Sequence, residues 1–283
     1  WKAWTPEDGE VFWQTELGKG RPGWHLECSA MSSKYLGETF DIHCGGIDLM
    51  FPHHENEIAQ SEGATGKQFV KFWLHNEHIL VEGKKMSKSL GNFYTLRDIL
   101  GKGYKPEAVR YLFVSAHYRD QINFTFKSLE SAQAAVDRVF DFVRSLKEIK
   151  SELENPDVKT VVSDFEEQFE LAMDDDLNTS LALAALFDFI KAINSFTAEN
   201  NFGVNNAKEV MASVEKIDRV LGLLKFLEKP LPIAKEELDN LIQERETARK
   251  AGDFKRADEI RKQLKEKGII LEDSKAGITW KVV

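Results

Sequence analysis

Hydrophobic and polar positions follow two patterns along the chain, and the change falls near residue 122. Before it, short apolar runs such as residues 69–74 alternate with turns that contain glycine, which predicts the strands and helices of an α/β layer. After it, apolar residues recur at helical spacing over long amphipathic stretches. The predicted helices span residues 126–150, 158–173, 179–196 and 207–224.

The third of these helices, residues 179–196, carries a continuous apolar stripe. Such a stripe is more often buried in a core than used for binding, so we interpret it as a core face. The stripe consists of Leu181, Ala184, Ala185, Phe189 and Ile193.

Two breaks that contain proline interrupt the helical part of the chain. The first is Asn155-Pro156, and the second, Lys-Pro-Leu-Pro at residues 229–232, predicts a linker. Beyond the linker, residues 235–267 predict a charged helical hairpin that turns at residues 251–253. A small hairpin of strands is predicted at its end, from residues 269–271 and 278–282.

These elements predict a fold class of α/β followed by all-α. A helical bundle would follow the α/β layer, and a small helical hairpin would form the C-terminal end. The predicted domains are residues 1–122, 123–228 and 229–283.

Composition narrows the class of protein. Hydrophobic residues make up 42% of the 283 residues, which suffices for a packed core, and no run of eighteen apolar residues predicts a membrane span. The net charge of −9 argues against a nonspecific nucleic-acid binder, although an acidic tRNA enzyme can cluster its basic residues. Cys28 and Cys44 predict no disulfide framework and indicate a reducing, cytoplasmic compartment. Because the chain opens without methionine, we expect it to be part of a longer protein.

Residues 81–92, Val-Glu-Gly-Lys-Lys-Met-Ser-Lys-Ser-Leu-Gly-Asn, have the composition of a phosphate-binding loop. Three lysines fall within five residues, and no acidic residue occurs from residue 83 to residue 96. The loop lies between a predicted strand and a short helix that Thr95 is placed to cap. Ammonium groups supply charge, and glycines allow close backbone approach to a phosphate. The alternative for a short basic run is a solvated surface loop.

A second candidate site begins at Pro52, which suits the first position of a helix. In that helix His53 and Glu57 are four residues apart, so they share one face. With a thiolate from elsewhere, this pair would make a plausible zinc site. The alternative is an ordinary hydrogen bond between the two side chains on a solvated face.

Three stretches resemble the cysteinyl-tRNA synthetases, a family of class I aminoacyl-tRNA synthetases. They are Lys85-Met-Ser-Lys-Ser89, which resembles the KMSKS loop, Gly23-Trp-His-Leu-Glu-Cys-Ser-Ala-Met31, and the stretch from His43 to Glu57. The resemblance implies the C-terminal half of a Rossmann-like catalytic domain, followed by the bundle and hairpin. The family's HIGH motif is expected to lie outside this chain.

The resemblance also implies functional residues. In the family, zinc is held by two cysteines, one histidine and one glutamate, and three of these match Cys28, His53 and Glu57; the other cysteine is expected upstream. We interpret Cys44 as packing at the end of a strand. ATP, used with Mg²⁺, would be bound by Lys85, Met86, Ser87, Lys88 and Ser89, with Lys85 and Lys88 acting in catalysis. The amino-acid pocket would be lined by Trp24, His43 and Asp48.

Taken singly, each pocket residue has a structural alternative: a core aromatic for Trp24, a core histidine for His43 and a turn residue for Asp48. Zinc suits this chemistry because it prefers a thiolate to the neutral hydroxyl of serine. The implied function is ATP-dependent ligation of L-cysteine to tRNA(Cys) through cysteinyl-adenylate. The chain alone is expected to be inactive, since one of the two phosphate-binding elements would be missing. The alternatives are a cysteine ligase of the same ancestry that acts on an amino sugar, and a noncatalytic RNA- or zinc-binding module.

The predicted C-terminal hairpin distinguishes these alternatives. From Arg245 to Lys267 there are nine Lys or Arg residues against five Asp or Glu residues, a net charge of +4 in an acidic chain. A basic appendage after a bundle fits a tRNA contact, which an amino-sugar ligase does not need. The alternative is a solvated helix pair joined by salt bridges.

Overall fold

The computed structural model describes residues 1–224, 232–274 and 277–282. Within them the chain forms two compact units, residues 1–221 and residues 222–283. The first unit contains an α/β part and a helical bundle, and the second contains a helical hairpin with a strand hairpin. The predicted fold class, α/β followed by all-α, is therefore confirmed.

A small antiparallel sheet opens the first unit. Strand β3 (Gly18–Arg21) lies between β1 (Lys2–Ala3) and β2 (Trp13–Thr15). A helical turn, Pro6–Asp8, connects β1 to β2. Arg21 donates from Nε to Oδ1 of Asp8 at 2.9 Å, which attaches this turn to β3.

Helix α1 and the strand–helix–strand unit that follows it carry the predicted metal ligands. Helix α1 (Trp24–Leu36) precedes β4 (Phe40–Gly46), and α2 (Glu55–Thr65) connects β4 to the parallel strand β5 (Val70–Asn76). Between β4 and α2 the chain is already wound, through Ile47–Leu49 and Met50–His54. Phe51 interrupts this winding with extended backbone angles, so Pro52 begins the turn that continues into α2.

The lysine-rich stretch belongs to a third sheet of the first unit. Strand β6 (Ile79–Val81) pairs antiparallel with β7 (Lys84–Lys85) and parallel with β8 (Ile122–Phe124). Within the stretch predicted as a loop, residues 81–92, Lys84 and Lys85 therefore form a short strand, which is a correction of the predicted arrangement. Helices α3 (Leu96–Gly101) and α4 (Pro106–Val114) connect β7 to β8.

The short helix α3 begins as predicted. Oγ1 of Thr95 accepts from the backbone N–H of Asp98 at 3.2 Å, and the Asp98 carboxylate accepts from the backbone N–H of Thr95 at 2.8 Å. Its Ile99 is buried with Val81 of β6 and Leu112 of α4. This core attaches the lysine-bearing hairpin to the helices that follow it.

Four long helices form the bundle of the first unit. They are α5 (Phe126–Glu148), α6 (Asp157–Asp174), α7 (Thr179–Ala198) and α8 (Val204–Leu221), and they agree with the predicted helices to within a few residues at each end. Asn178 caps α7 by accepting from the backbone N–H of Leu181 at 3.1 Å.

The predicted core stripe of α7 is partly wrong. Leu181 and Ala184 are exposed, and the ring of Phe189 stacks on that of Phe165 of α6, with centroids 4.2 Å apart. Because α7 is apolar on most sides, periodicity does not decide which stripe faces the bundle. The buried residues are Ala182, Leu183, Leu186, Phe189, Ile190 and Ile193.

Helix α7 is also, among the described residues, a candidate for a membrane span by length and composition. About a third of its most apolar window is buried (33%). Length and composition do not separate a membrane span from the core helix of a bundle, and α7 packs against α6 through Phe189 and Phe165.

The second unit has its own small core. Helices α9 (Lys235–Lys250) and α10 (Phe254–Glu266) form the hairpin, and β9 (Ile269–Ser274) pairs antiparallel with β10 (Gly277–Val282). The core contains Leu238, Ile260, Leu264, Ile269 and Leu271. Most of the predicted linker, residues 229–231, lies outside the described residues, and the predicted domain limits at 122 and 228 stay predictions.

Candidate functional site

Two neighbouring helices bring Cys28, His53 and Glu57 together. Cys28 lies on α1, His53 lies in the turn before α2, and Glu57 lies in the first turn of α2. One donor atom from each residue lies within 4.8 Å of the others. Oγ of Ser29 donates to Oε1 of Gln60 at 2.8 Å and so joins α1 to α2 beside this group.

The buried carboxylate of Glu57 fits a cation. Glu57 is 0% exposed, and in the described part of the chain its Oε1 has no hydrogen-bond partner. Nε2 of His53 lies 2.6 Å from this oxygen, but the two atoms do not have hydrogen-bonding geometry. A buried acceptor without a donor is unfavourable, whereas a divalent cation would satisfy both atoms. The thiol, imidazole and carboxylate donors are those that zinc accepts.

Burial sets the ionisation of this group without a cation. Burial, and next the charge of Glu57, raise the pKa of the Cys28 thiol. Burial lowers the pKa of His53, and the charge of Glu57 only partly opposes that effect. Cys28 and His53 are therefore neutral at neutral pH beside the charged Glu57, and a bound cation would promote the thiolate of Cys28.

Two further histidines orient the group from outside. Nε2 of His43 donates to Oε2 of Glu57 at 2.7 Å. Nδ1 of His25 lies 2.6 Å from Nδ1 of His53, so one of these nitrogens carries the shared proton. If Nε2 of His53 binds a cation, its proton is on Nδ1 and His25 accepts it. Sequence reasoning gave His25 no role; its place three residues before the predicted ligand Cys28, in the same helix, was not a sufficient signal.

The rings of His43, His54 and His75 lie around the ring of Trp73 of β5. The ring of His43 lies 4.7 Å from that of Trp73, and Nδ1 of His54 lies 2.7 Å from Nε2 of His75. Burial lowers the pKa of His54 to about 4, so this ring is neutral at neutral pH. Gly45 makes room for it, because a Cβ at Gly45 would lie 2.6 Å from Cε1 of His54.

We expect G45A to destabilise the protein by about 1–3 kcal/mol, because the added methyl group must displace a buried ring. G63A is the matched control: nothing lies within 4 Å of a Cβ at Gly63 in α2, and alanine should stabilise that helix by about 0.5–1 kcal/mol. Urea unfolding of the full-length protein measures both changes. Equal effects of the two substitutions would contradict the close packing of Gly45 on His54.

The predicted pocket residues lie in different settings. The ring of Trp24 is 4.3 Å from that of His53 and the residue is 56% exposed, which does not fit a core aromatic. His43 borders the same group through Glu57. Asp48 is exposed in the helical turn after β4, and Gly46 leaves space for its carboxylate. Cys44 is exposed on β4, so its interpretation as a packing residue is wrong.

The lysine loop, which we define as residues 81–92 and which includes β7, is organised by Asn92. Its Oδ1 accepts from the backbone N–H of Ser87 at 2.9 Å, and its Nδ2 donates to the carbonyl of Lys85 at 3.0 Å. Ser87 and Ser89 join their hydroxyls at 2.7 Å, and Lys88 is exposed. Met86 instead packs against the core that contains Val81 and Ile99. The sequence indicated a basic loop but did not show that Asn92 orders it.

Two basic residues of the hairpin in the second unit are engaged within the unit, one by burial and one, although exposed, by ion pairs. Arg245 is buried, and Arg256 donates to Oε1 of Glu244 from Nε and Nη2 at 2.9 and 2.8 Å. Three basic residues of α10 are exposed close together on one helix: Arg261, Lys262 and Lys265.

Three family descriptions match successive parts of the chain. Residues 1–134 match "tRNA synthetases class I (C) catalytic domain", residues 168–225 match "DALR domain", and residues 232–280 match "Cysteinyl-tRNA ligase anticodon binding domain". The α/β part lies within the first match, the end of α6 together with α7 and α8 lies within the second, and the helical hairpin of the second unit lies within the third.

Relatives and a solved structure agree with these matches. A cysteine–tRNA ligase of Solibacter usitatus (strain Ellin6076) is 48% identical over 99% of this chain and 60% of the relative. One of Chlamydia muridarum (strain MoPn / Nigg) is 46% identical over 100% of this chain and 61% of the relative. A solved structure of LeuRS from Agrobacterium radiobacter K84, in a ternary complex with tRNA and LeuAMS, superposes on this chain with a TM-score of 0.58. The superposition covers 80% of this chain and 35% of the LeuRS chain at 12% identity, and it supports the fold alone. The chain spans about 60% of the length of the relatives it matches.

Proposed function

The chain belongs to the cysteine–tRNA ligase family, and we propose that the protein containing it attaches L-cysteine to tRNA(Cys) in two steps. Cysteine first reacts with ATP to form cysteinyl-adenylate and pyrophosphate. A hydroxyl of the terminal ribose of the tRNA then takes the cysteinyl group as an ester, and AMP leaves. The observation that carries the proposal is the convergence of Cys28, His53 and Glu57 around an acceptor that has no donor. The reducing cytoplasm suits both free cysteines.

Zinc would be held by Cys28, His53 and Glu57. When bound, it supplies a site that prefers the thiolate of cysteine to the hydroxyl of serine. His43 holds the second oxygen of Glu57 and thereby fixes the direction of the first. The ring of Trp24 packs beside His53 and would form one side of the amino-acid pocket. We propose that the carboxylate of Asp48 binds the ammonium group of the substrate.

The phosphates of ATP would be bound by the lysine loop. Lys85 and Lys88 are exposed and can approach a nucleotide, with the hydroxyls of Ser87 and Ser89 as further donors and Met86 as the apolar anchor of the loop. Mg²⁺ is expected to accompany the nucleotide. The ammonium group of Lys88 would stabilise the negative charge that develops on the leaving pyrophosphate.

Transfer to tRNA is favoured over transfer to an amino sugar by the second unit. Its match to an anticodon-binding domain and its exposed cations on α10 support an RNA acceptor. A noncatalytic module would give no role to the lysine loop. The test uses the full-length protein with ATP and cysteine. Charging of tRNA(Cys) without reaction of an amino sugar is expected, and the reverse result would favour the amino-sugar ligase.

We predict that reversing the charge of Arg261, Lys262 and Lys265 to glutamate weakens tRNA binding at least about tenfold. Loss of three phosphate contacts would also reduce the slope of log K against log salt by about 2–3. Filter binding at several salt concentrations measures both quantities. The control reverses three exposed bundle lysines, Lys159, Lys191 and Lys208, which changes the net charge equally. Equal weakening by both variants would exclude a local role for α10.

A further inference from the structure

A cluster outside both candidate sites joins the loop before β8 to the loop between α6 and α7. The phenol of Tyr118 donates to Oδ1 of Asp176 at 2.7 Å, and Nε of Arg119 donates to Oδ2 at 2.6 Å. Nε2 of His117 lies 2.9 Å from the backbone carbonyl oxygen of Asp176. Hydrogen bonds from Arg119 and Tyr118 hold the pKa of Asp176 below its ordinary value. Three consecutive side chains therefore hold one residue of the bundle.

The backbone at Asp176 needs such support. Asp176 and Leu177 have φ angles of 53° and 57°, which place two successive residues other than glycine in the left-handed region. This conformation is unfavourable for each of them and persists only where the surroundings hold it. The hydrogen bonds from Tyr118 and Arg119 act on one side, and the cap of α7 by Asn178 acts on the other.

The same loop is bonded to the sheet that carries the lysines. The carbonyl of Tyr118 accepts from the backbone N–H of Glu77 at 2.9 Å, just before β6. Beyond the loop, β8 pairs parallel with β6. Oδ1 of Asn123 in β8 accepts from the backbone N–H of Gly83 at 2.8 Å. The carbonyl of Phe124 accepts from the backbone N–H of Glu82 at 3.0 Å.

Glu82 and Gly83 form the turn that places Lys84 and Lys85 in β7. Both turn residues have positive φ angles, 50° and 72°, the geometry of a tight hairpin turn. A continuous set of hydrogen bonds thus runs from the bundle loop, through residues 117–119 and β8, to the start of the lysine loop. Small displacements of Asp176 would be passed on because each link is a direct bond between neighbouring elements.

We propose that Asp176 is a positioning residue that fixes the lysine loop relative to the helical bundle. This inference rests on the proposed function, in which Lys88 stabilises the leaving pyrophosphate. Asp176 acts through Tyr118 and Arg119 and does not touch the substrates. The carboxylate of Asp176 accepts from both side chains at once, with one oxygen for each. An asparagine has only one acceptor oxygen and could not keep both hydrogen bonds in this geometry.

The test is D176N in the full-length protein, with pyrophosphate exchange that depends on cysteine. The kcat is expected to fall about tenfold while the KM for cysteine stays within about twofold, because the loop acts mainly in the transition state. In a K88A background the same substitution should change kcat less than about twofold, since its effect passes through Lys88. E166Q is the matched control, because it removes the ion pair of Glu166 with Lys216 on the bundle.

A second measurement does not need activity. Limited trypsin cleavage after Lys85 and Lys88 is expected to accelerate several-fold in D176N and in Y118F, and to stay unchanged in E166Q. An equal loss of kcat in the wild-type and K88A backgrounds would overturn the inference, and so would unchanged cleavage. Absence of exchange in the wild-type protein would instead refute the proposed function, while the cleavage rates would still decide whether Asp176 holds the loop.

Discussion

Replacing Lys88 with alanine in the full-length protein is expected to lower the kcat of cysteine-dependent pyrophosphate exchange by about 10²–10³-fold. The KM for cysteine should stay within about twofold, because an ammonium group at the departing phosphates acts in the transition state and not on the amino acid. Steady-state exchange assays at saturating ATP, with cysteine varied, separate the two constants. The size of the effect corresponds to roughly 3–4 kcal/mol of lost transition-state stabilisation.

The neighbouring Lys84 provides the matched control. It is also exposed, and it lies beside Lys85 in β7, but no role in phosphate binding is assigned to it. K84A should therefore keep kcat within about threefold, the effect of a nearby but indirect charge. Equal losses in K84A and K88A would mean that the loop acts through its total charge. An unchanged rate in K88A would remove Lys88 from the mechanism.

The second large effect is expected for Cys28. In C28S the set of three metal-binding side chains, Cys28, His53 and Glu57, loses its thiolate. The zinc content should therefore fall from about one ion per protein to well below one, because a soft ligand is replaced by a neutral hydroxyl. The preference for cysteine over serine, measured as the ratio of kcat/KM values in the exchange assay, should fall with it. The decrease in metal affinity in C28S should exceed the decrease expected for H43A, which is roughly 10–100-fold because H43A removes only an outer partner of Glu57.

Cys44 is the control for this series. It is an exposed cysteine on β4 with no assigned ligand role, so C44S should retain zinc and the preference for cysteine. Metal analysis of purified C28S, C44S and H43A proteins gives the order directly. Full zinc content in C28S would contradict the ligand assignment, and loss of zinc in C44S would point to a different set of donors.

Much of the secondary structure was accessible from the sequence. The helices of the bundle and hairpin, the cap at Thr95 and the shared face of His53 and Glu57 depend on residues within a few positions of one another. Such local relations are set by backbone geometry, by helical periodicity and by side chains that satisfy nearby backbone groups. The string from Lys85 to Ser89 resembled the KMSKS loop of class I synthetases, and the stretches at residues 23–31 and 43–57 were needed to narrow that resemblance to one family.

The tertiary structure decided which distant residues meet. Cys28 reaches His53 and Glu57 only because α1 packs against α2, and His25 becomes an outer partner for the same reason. His43 reaches Glu57 from β4. The buried stripe of α7 and the burial of Arg245 also depend on neighbouring helices.

Asp176 lies 57, 58 and 59 positions along the chain from its partners Arg119, Tyr118 and His117. No local sequence pattern predicts contacts over such separations. The physical reason is that packing selects one of several faces that a periodic sequence offers equally. Contacts between distant residues therefore follow from the assembled core and not from local pattern.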